Sequence, residues 1–553
     1  MLPFLPWLRA RPWVPAVLAL LVLLPALLLN LGLLPLIADE PIRALVALEL
    51  KLHGNYFVST LQGEYYFNKP PLFNWLLVGF FQLFGSVEEW VIRLPTVLAL
   101  LGMGASLYYF VSRRLGWVLG VVAALAFITS GRMLFYDSFL GLIDTLHALV
   151  TYLGFMAVFE LGARRRWAAL FVVSYALTAV GFLLKGLPSL VFQGVALGVY
   201  FVFVDGHWRR LLSGAHAMGL AVLLGLIGGY FAVYRHFHPL HDYLATLLDQ
   251  STQRTVAAHA WRESLAHLVK FPFDFISDFL PWTLLLLCLA RPGWRQVLRE
   301  QPFLRFNALL FAALTPVFWL SPGTIPRYLF VLTPLCFTVA VYFYQQFWAE
   351  RRWSHRLLDA VLLTAMALVS LSLVAVPWIP AAAVQPGVVW KSALGALALA
   401  GCTLAYWHLP AQRLAWLGLF LLCMRVVFNW FVLPARLLTR DETPYRTAAI
   451  RVAEIAGHAP VYKLADTHVD NDEAFYITRG TGHIVYSSTS AQLPAAPAKN
   501  AFYLAEDRYL IGRRYHQYYE FVIDRGIRLH LVKFDQPGLF SSSNRCLNRL
   551  PAH

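Results

Sequence analysis

The chain reads as an α-helical protein that crosses a membrane many times and ends in a small α/β domain. Three observations predict this. Of 553 residues, 59% are hydrophobic and only 14% are charged. Apolar runs of roughly 20 residues, the length that spans a bilayer's hydrocarbon core, recur along most of the chain. From Pro434 onward the composition returns to that of an ordinary soluble domain. The net charge of +15 would suggest nucleic acid in a soluble protein. Here the arginines sit in short loops between apolar runs, as topology signals do, and no nucleic-acid partner is expected.

About thirteen spans fit the runs: 13–35, 89–111, 115–131, 144–161, 167–184, 187–204, 215–235, 278–290, 303–320, 328–347, 357–377, 388–407 and 414–433,. The first lacks a small-residue cleavage signature and is read as a retained anchor. The segment 72–84 is apolar but short, and is expected in the interface or as a re-entrant helix. Arg9 and Arg11, Arg113 and Arg114, Arg164 to Arg166, Arg209 and Arg210, Arg291 to Arg305, Arg351 to Arg356, and Arg413 fall in alternate loops. Those loops are assigned to the cytoplasm. The loops at 36–88, 132–143, 185–186, 236–277, 321–327 and 378–387 are then exterior, and so is the tail. The expected division is a membrane part, 1–433, and an extracytoplasmic α/β domain, 434–553. In the tail a helix is expected over 445–456, and strands near 459–464, 501–505 and 527–534.

Cys288, Cys336, Cys402 and Cys423 lie inside apolar runs and Cys546 stands alone in the tail. No spacing suggests a disulfide framework or a cysteine zinc site. Neither a Walker loop nor a Gly-rich dinucleotide turn is present, so nucleotide use is not expected. Asp470-Asn471-Asp472-Glu473 resembles the acidic triplet of nucleotide-sugar enzymes, but in an exterior tail it reads as a solvated loop.

The unusual ionisable residues collect on the exterior side. Asp39 and Glu40 open the first exterior loop, and Lys69 closes it in Tyr66-Phe67-Asn68-Lys69-Pro70-Pro71. Asp137 and Asp144 flank the start of the fourth span. Lys185 ends the fifth, Arg254 and His259 lie in the long loop, and Arg327-Tyr328 open the tenth span. Such residues beside lipid are expensive and mark working sites. Cations can hold a phosphate, arginine bidentately. A carboxylate can take a proton from an attacking hydroxyl or amine. Aromatic residues such as Tyr65, Tyr66, Trp75 and Trp261 can line a lipid or sugar pocket. The substrate that needs all three is a lipid-linked phosphosugar. Each residue also has a plainer role. Asp39-Glu40 and Asp144 could cap helices. Lys69, Lys185 and Arg327 could anchor span ends at headgroups, and His259 could be a surface histidine.

Several motifs together resemble the aminoarabinose transferase-like branch of the GT-C glycosyltransferases, which is related to the protein O-mannosyltransferases. They are Asp39-Glu40 after the first span, Lys69-Pro70-Pro71, Arg93-Leu94-Pro95, Leu184-Lys185-Gly186-Leu187-Pro188, Phe279-Leu280-Pro281-Trp282, and Arg327-Tyr328 leading to Thr333-Pro334-Leu335. The resemblance covers the first 350 residues, and the rest only in architecture. It implies a GT-C fold of about thirteen spans with an exterior C-terminal domain. It also implies transfer of a sugar from undecaprenyl phosphate to an envelope acceptor, such as lipid A or another glycan, at the outer face of a bacterial inner membrane. On this likeness Asp39, with Glu40 beside it, and Asp144 are the catalytic acids. Lys69 contacts the lipid phosphate, and Arg254, Arg327, Tyr328, Lys185 and Tyr66 complete the donor site.

Two positions depart from the branch. Its lipid A-modifying members carry a metal-ligating glutamate where Asn68 stands, and a tyrosine at the position of Arg43. A divalent ion is therefore an open cofactor, with no ligand assigned. The expected chemistry is inverting displacement, with Asp39 as base and the cations on the departing phosphate. The acids and cations are expected to converge in one pocket beyond the outer leaflet. The alternatives are a protein O-mannosyltransferase-like enzyme with a polypeptide acceptor, and a transporter or flippase of lipid-linked sugars. The latter calls for mid-membrane polar residues and repeat symmetry that the sequence lacks.

Overall fold

The computed structural model describes residues 5–252, 260–350, 352–440, 442–489 and 500–534. The chain forms two compact units. One comprises Met1–Leu33, Phe67–Leu72 and Arg93–Arg436; the other comprises Leu34–Tyr66, Phe73–Ile92 and Leu437–His553.

Among the described residues, eight helices are long and apolar enough to cross a membrane, or ten if each of two bent pairs is one span. Three shorter apolar helices are Val14–Leu28, Leu72–Phe84 and Pro188–Val204. The chain is thus an α-helical, multi-pass membrane protein with a small strand-containing C-terminal region.

One expected span is corrected. The run 278–290 is no full crossing helix. The Trp261–Asp278 helix ends there, the chain bends by 114°, and Trp282–Leu289 forms a 3-10 helix of eight residues. At about 2 Å of rise per residue that segment covers roughly half of the hydrocarbon thickness. Pro281, without an N–H to donate, keeps the first helix from continuing through the apolar run.

Within the first unit, Trp167–Lys185 packs along both Ile143–Ala163 and Gly214–Tyr234. The carbonyls freed at the end of Val14–Leu28 are met by buried side chains. Asn429 Nδ2 donates to the Ala26 carbonyl at 2.9 Å, Arg425 Nε to the same carbonyl at 3.3 Å, and Arg425 also to the Leu134 carbonyl. Helix ends in an apolar interior need such partners.

The second unit holds a four-stranded sheet of order β3-β4-β6-β5, after a small hairpin, β1 (Thr60–Leu61) and β2 (Glu64–Tyr65). β3 is Val461–Lys463, β4 Phe502–Glu506, β5 Tyr515–Val522 and β6 Arg528–Phe534. β3 and β4 run parallel; the other pairs are antiparallel. Helices Glu40–His53, Glu442–Ala456 and Asn471–Thr481 pack with this sheet region. Asp470–Glu473 is not the solvated loop expected. Asp470 occupies the N-cap of Asn471–Thr481, and Glu473 is only 1% exposed. Burial, then the neighbouring Asp472, pushes the Glu473 carboxyl up to about 9.

Glu89 ties this unit together. It accepts from Tyr476 Oη at 3.1 Å and pairs with Arg446 at 3.2 Å and Arg479 at 3.4 Å. Tyr476 Oη in turn accepts from the Leu36 N–H at 3.0 Å.

Candidate active site

In the first unit the sequence builds a charge cluster from three separate elements. Lys185 ends the Trp167–Lys185 helix because Gly186 follows at φ +87°, and Pro188 opens the next helix. A glycine just past a helix end and a proline at the next start are the expected punctuation, and a lysine in the last turn suits the helix dipole. Asp144 lies in the first turn of Ile143–Ala163. It is not the N-cap, which is Leu142. Its Oδ1 accepts from Lys185 Nζ at 2.5 Å, and its Oδ2 lies 3.3 Å from Arg327 Nε. All three side chains are about nine-tenths buried. The lysine also sits 4.0 Å from the centre of the Tyr328 ring, a favourable place for a cation. Asp144, Lys185, Arg327 and Tyr328 are therefore brought together, and the plain anchoring role for Lys185 and Arg327 does not describe them. Asp137 pairs with Arg132 at 2.8 Å, within electrostatic reach of Asp144 and Arg327.

Lys185 and Tyr328 line a cavity of about 550 Å³, together with Asn68, Lys69, His147 and Gln250. Lys69 Nζ donates to Gln250 Oε1 at 3.0 Å. The rest of the wall is largely apolar, with Val191, Phe192, Leu247, Val317 and Val331. A cavity lined by cations and by apolar side chains suits an amphiphile with an anionic head.

Two of these polar residues were not singled out from the sequence. His147 follows Asp144 by three residues and so shares its helix face; its Nε2 lies 2.9 Å from Ser189 Oγ. That spacing was the available signal. Gln250 carried none, because its role depends on the Leu240–Thr252 helix lying against the Lys69 segment. Arg254 and His259 lie outside the described residues. Trp261 does not line a pocket of this kind; it is 70% exposed.

The remaining expected residues belong to the second unit. Asp39 occupies the N-cap position of Glu40–His53 without a side-chain capping bond. Glu40 is fully buried and its Oε2 accepts from the Ile37 N–H at 3.2 Å. Tyr66 receives a 2.5 Å hydrogen bond from Arg43, both side chains being buried. Nearby, Glu49 is also fully buried. It accepts from Thr60 Oγ1 at 2.6 Å, the Gln62 N–H at 2.7 Å and the Gly63 N–H at 3.2 Å. Desolvation outweighs these donors and pushes its carboxyl up to about 7,. Gly63 sits at φ +77°, and a Cβ there would come within 2.1 Å of the Tyr486 ring.

A metal fits poorly. Among the described residues no three His, Cys, Asp or Glu side chains group as a cation site would require, and Asn68 is a weak ligand beside Lys69.

The model of the dolichyl-phosphate-mannose-protein mannosyltransferase family matches residues 68–230, the stretch with Lys69, Asp144, His147 and Lys185. The fold is similar to the crystal structure of ArnT from Cupriavidus metallidurans bound to undecaprenyl phosphate, with a TM-score of 0.69 at 18% identity, covering 95% of this chain and 98% of that one. For ArnT from the same organism in the apo state the TM-score is 0.66 at 20% identity, with the same coverage of 95% and 98%. No curated protein matches the chain. The chain therefore has the fold of these ArnT structures, and its residues 68–230 match the model of the dolichyl-phosphate-mannose-protein mannosyltransferase family.

Proposed function

We propose that this membrane glycosyltransferase draws its sugar from a polyprenyl-phosphate donor and hands it, with inversion, to an envelope glycolipid or glycan. The observation that carries the reading is the apolar-walled cavity with Lys69 and Lys185 at its polar end, and Asp144 holding Lys185 and Arg327. Lys69, Lys185 and Arg327 are the cations suited to a lipid phosphate.

In the proposed step an acceptor hydroxyl or amine attacks the anomeric carbon. The bond from that carbon to the phosphate oxygen breaks, and the polyprenyl phosphate leaves. Lys69, Lys185 and Arg327 stabilise the departing anion, and Tyr328 steadies Lys185. By the family likeness alone, the acceptor's proton is assigned to Asp39, with Glu40 as its companion acid. Arg254 and Tyr66 are assigned to the donor by the family likeness alone. The setting is a bacterial inner membrane with the site on the exterior face, a membrane part of 1–433 and an extracytoplasmic domain of 434–553. The match of residues 68–230 to a protein mannosyltransferase family favours a second reading, a polypeptide acceptor with the same donor class.

The test is undecaprenyl phosphate binding to the full-length protein in nanodiscs, read by native mass spectrometry. Lys185→Ala and Lys69→Ala are expected to weaken it about tenfold each, the worth of one charged hydrogen bond. Unchanged binding in both would remove the donor assignment. Asp39→Asn is expected to keep lipid binding and lower turnover by about 10²–10⁴, the usual contribution of a general base. Mass spectrometry of envelope lipids, glycans and proteins with and without the gene identifies the acceptor.

A further inference from the structure

Among the described residues, three arginines are no more than 5% exposed: Arg43, Arg93 and Arg425. Two of them serve backbone acceptors. Arg425 donates to the carbonyls of Ala26 and Leu134, and Arg93 Nη1 to the Leu31 carbonyl at 2.8 Å. Arg43, in the second unit, differs. Its Nη2 donates to Tyr66 Oη at 2.5 Å, and its guanidinium carbon lies 5.4 Å from the centre of that ring. Its Nη1 is buried with no hydrogen-bond partner, and no carboxylate pairs with it. A guanidinium keeps its charge at any physiological pH. One neutral hydroxyl offsets little of the cost of taking that charge out of water, and a buried charge left in this condition calls for a partner.

The other acids of the same helix are committed. Glu40 Oε2 accepts from the Ile37 N–H, and Glu49 holds the turn between β1 and β2. Asp39 stands one turn before Arg43, whose backbone N–H donates to the Asp39 carbonyl at 3.2 Å. Residues four apart share a helix face, with about 5–6 Å between their Cβ atoms. Asp39 is partly exposed and Arg43 is buried, so this face leads inward from an accessible acid to an unpaired cation. Tyr66 Oη accepts from Arg43 and keeps its own proton to donate,. Arg43 Nη1 and the Tyr66 hydroxyl are thus two donors for one anion, and a carboxylate has two oxygens to meet them.

We propose that Arg43, with Tyr66, determines which sugar is transferred, by holding a carboxylate on the sugar ring. The donor then carries a uronic acid in place of a neutral or amino sugar. This rests on the reading of Asp39 as the acceptor's base, which sets the anomeric carbon beside it. One turn of helix is then the step from one side of that same ring to the other. A sugar bearing an ammonium group is repelled by Arg43, and a neutral one leaves the guanidinium unpaired.

The experiment uses the full-length protein in nanodiscs of phosphatidylcholine. Undecaprenyl phosphate, undecaprenyl phosphoglucuronate and undecaprenyl phosphoglucose are titrated by native mass spectrometry. Methyl β-glucuronide and methyl β-glucoside are titrated by saturation-transfer NMR. The wild type is expected to bind the glucuronate-bearing lipid about tenfold more tightly than the glucose-bearing one. Arg43→Met is expected to bind the two alike, and Arg43→Lys to restore part of the preference. Undecaprenyl phosphate binding is expected to be the same in Arg43→Met as in the wild type, which also reports an intact fold. Equal binding of the two lipid-linked sugars by the wild type, or a preference that survives Arg43→Met, overturns the assignment. An Arg43-dependent preference confined to the free glycosides places the anion on the acceptor and overturns it as well. Failure of undecaprenyl phosphate to bind the wild type instead removes the polyprenyl-phosphate reading. The free glycosides then still decide the carboxylate site, and equal binding of the two overturns it.

Discussion

Asp144 and Glu49 are both carboxylates buried from solvent, one in each unit, and their surroundings differ in kind. Asp144 is met by two full cations delivered by different elements, Lys185 and Arg327. Glu49 takes its hydrogen bonds from neutral donors, the hydroxyl of Thr60 and two backbone N–H groups of the turn between β1 and β2, and Lys463 acts on it only as the weakest of its electrostatic partners. Cations settle the charge of a carboxylate. Neutral donors within a turn satisfy its lone pairs but leave the desolvation cost standing, so the group is drawn toward its neutral form. The first arrangement includes Lys185, which lines a cavity; the second fastens a hairpin.

Breaking the first arrangement should have the larger effect. Asp144→Ala leaves two buried cations without their carboxylate and is expected to cost about 3–5 kcal/mol. Asp144→Ala combined with Lys185→Met should recover part of that loss, because one stranded charge is removed with its partner. Denaturant unfolding in detergent of both and of Lys185→Met alone measures the coupling; a double-variant loss equal to the sum of the two single losses would show that the pair does not couple.

Glu49→Ala strands the Thr60 hydroxyl and two N–H groups, and is expected to cost about 1–3 kcal/mol. A loss as large as that of Asp144→Ala would erase the distinction between the two acids. A separate effect concerns pH. The folded-state value of Glu49, about 7, lies above its ordinary 4.5. The folded state therefore binds the proton more tightly, so the contribution is full below about pH 4.5 and is lost as pH rises through about 7. Glu49→Gln should flatten the stability profile across that window. A slope unchanged by the substitution would assign the titration to another group.

What could be read from the chain, and what could not, follows from the range of the forces involved. The apolar runs announce the helices because each must bury about 20 residues in hydrocarbon whatever its neighbours are. β3, β4 and β6 fall within the strand-like runs of the tail. β5 was missed, since Tyr515–Val522 lies at the edge of the sheet with most of its side chains exposed and shows no clean alternation. The helix Asn471–Thr481 was hidden behind its acidic start, which reads as a loop until Glu473 is seen to be buried. The eighth run misled because composition reports apolarity and not direction, and a chain with Pro281 in it turned by 114°.

The candidate residues divide in the same way. Asp144, Lys185 and Arg327 stand out in the sequence as charges beside apolar runs, where charge is too costly to be incidental. Their mutual contact could not be read there, because it joins positions 41 and 183 residues apart along the chain, where no local periodicity reaches. Hydropathy and loop charge, being properties of single segments, were enough to establish a many-helix membrane protein with a polar tail. Which cations close on Asp144, that Gln250 holds Lys69, and that Lys69 and Lys185 line one cavity were decided by packing, since close contact between distant segments is what sets charge pairing and cavity shape,.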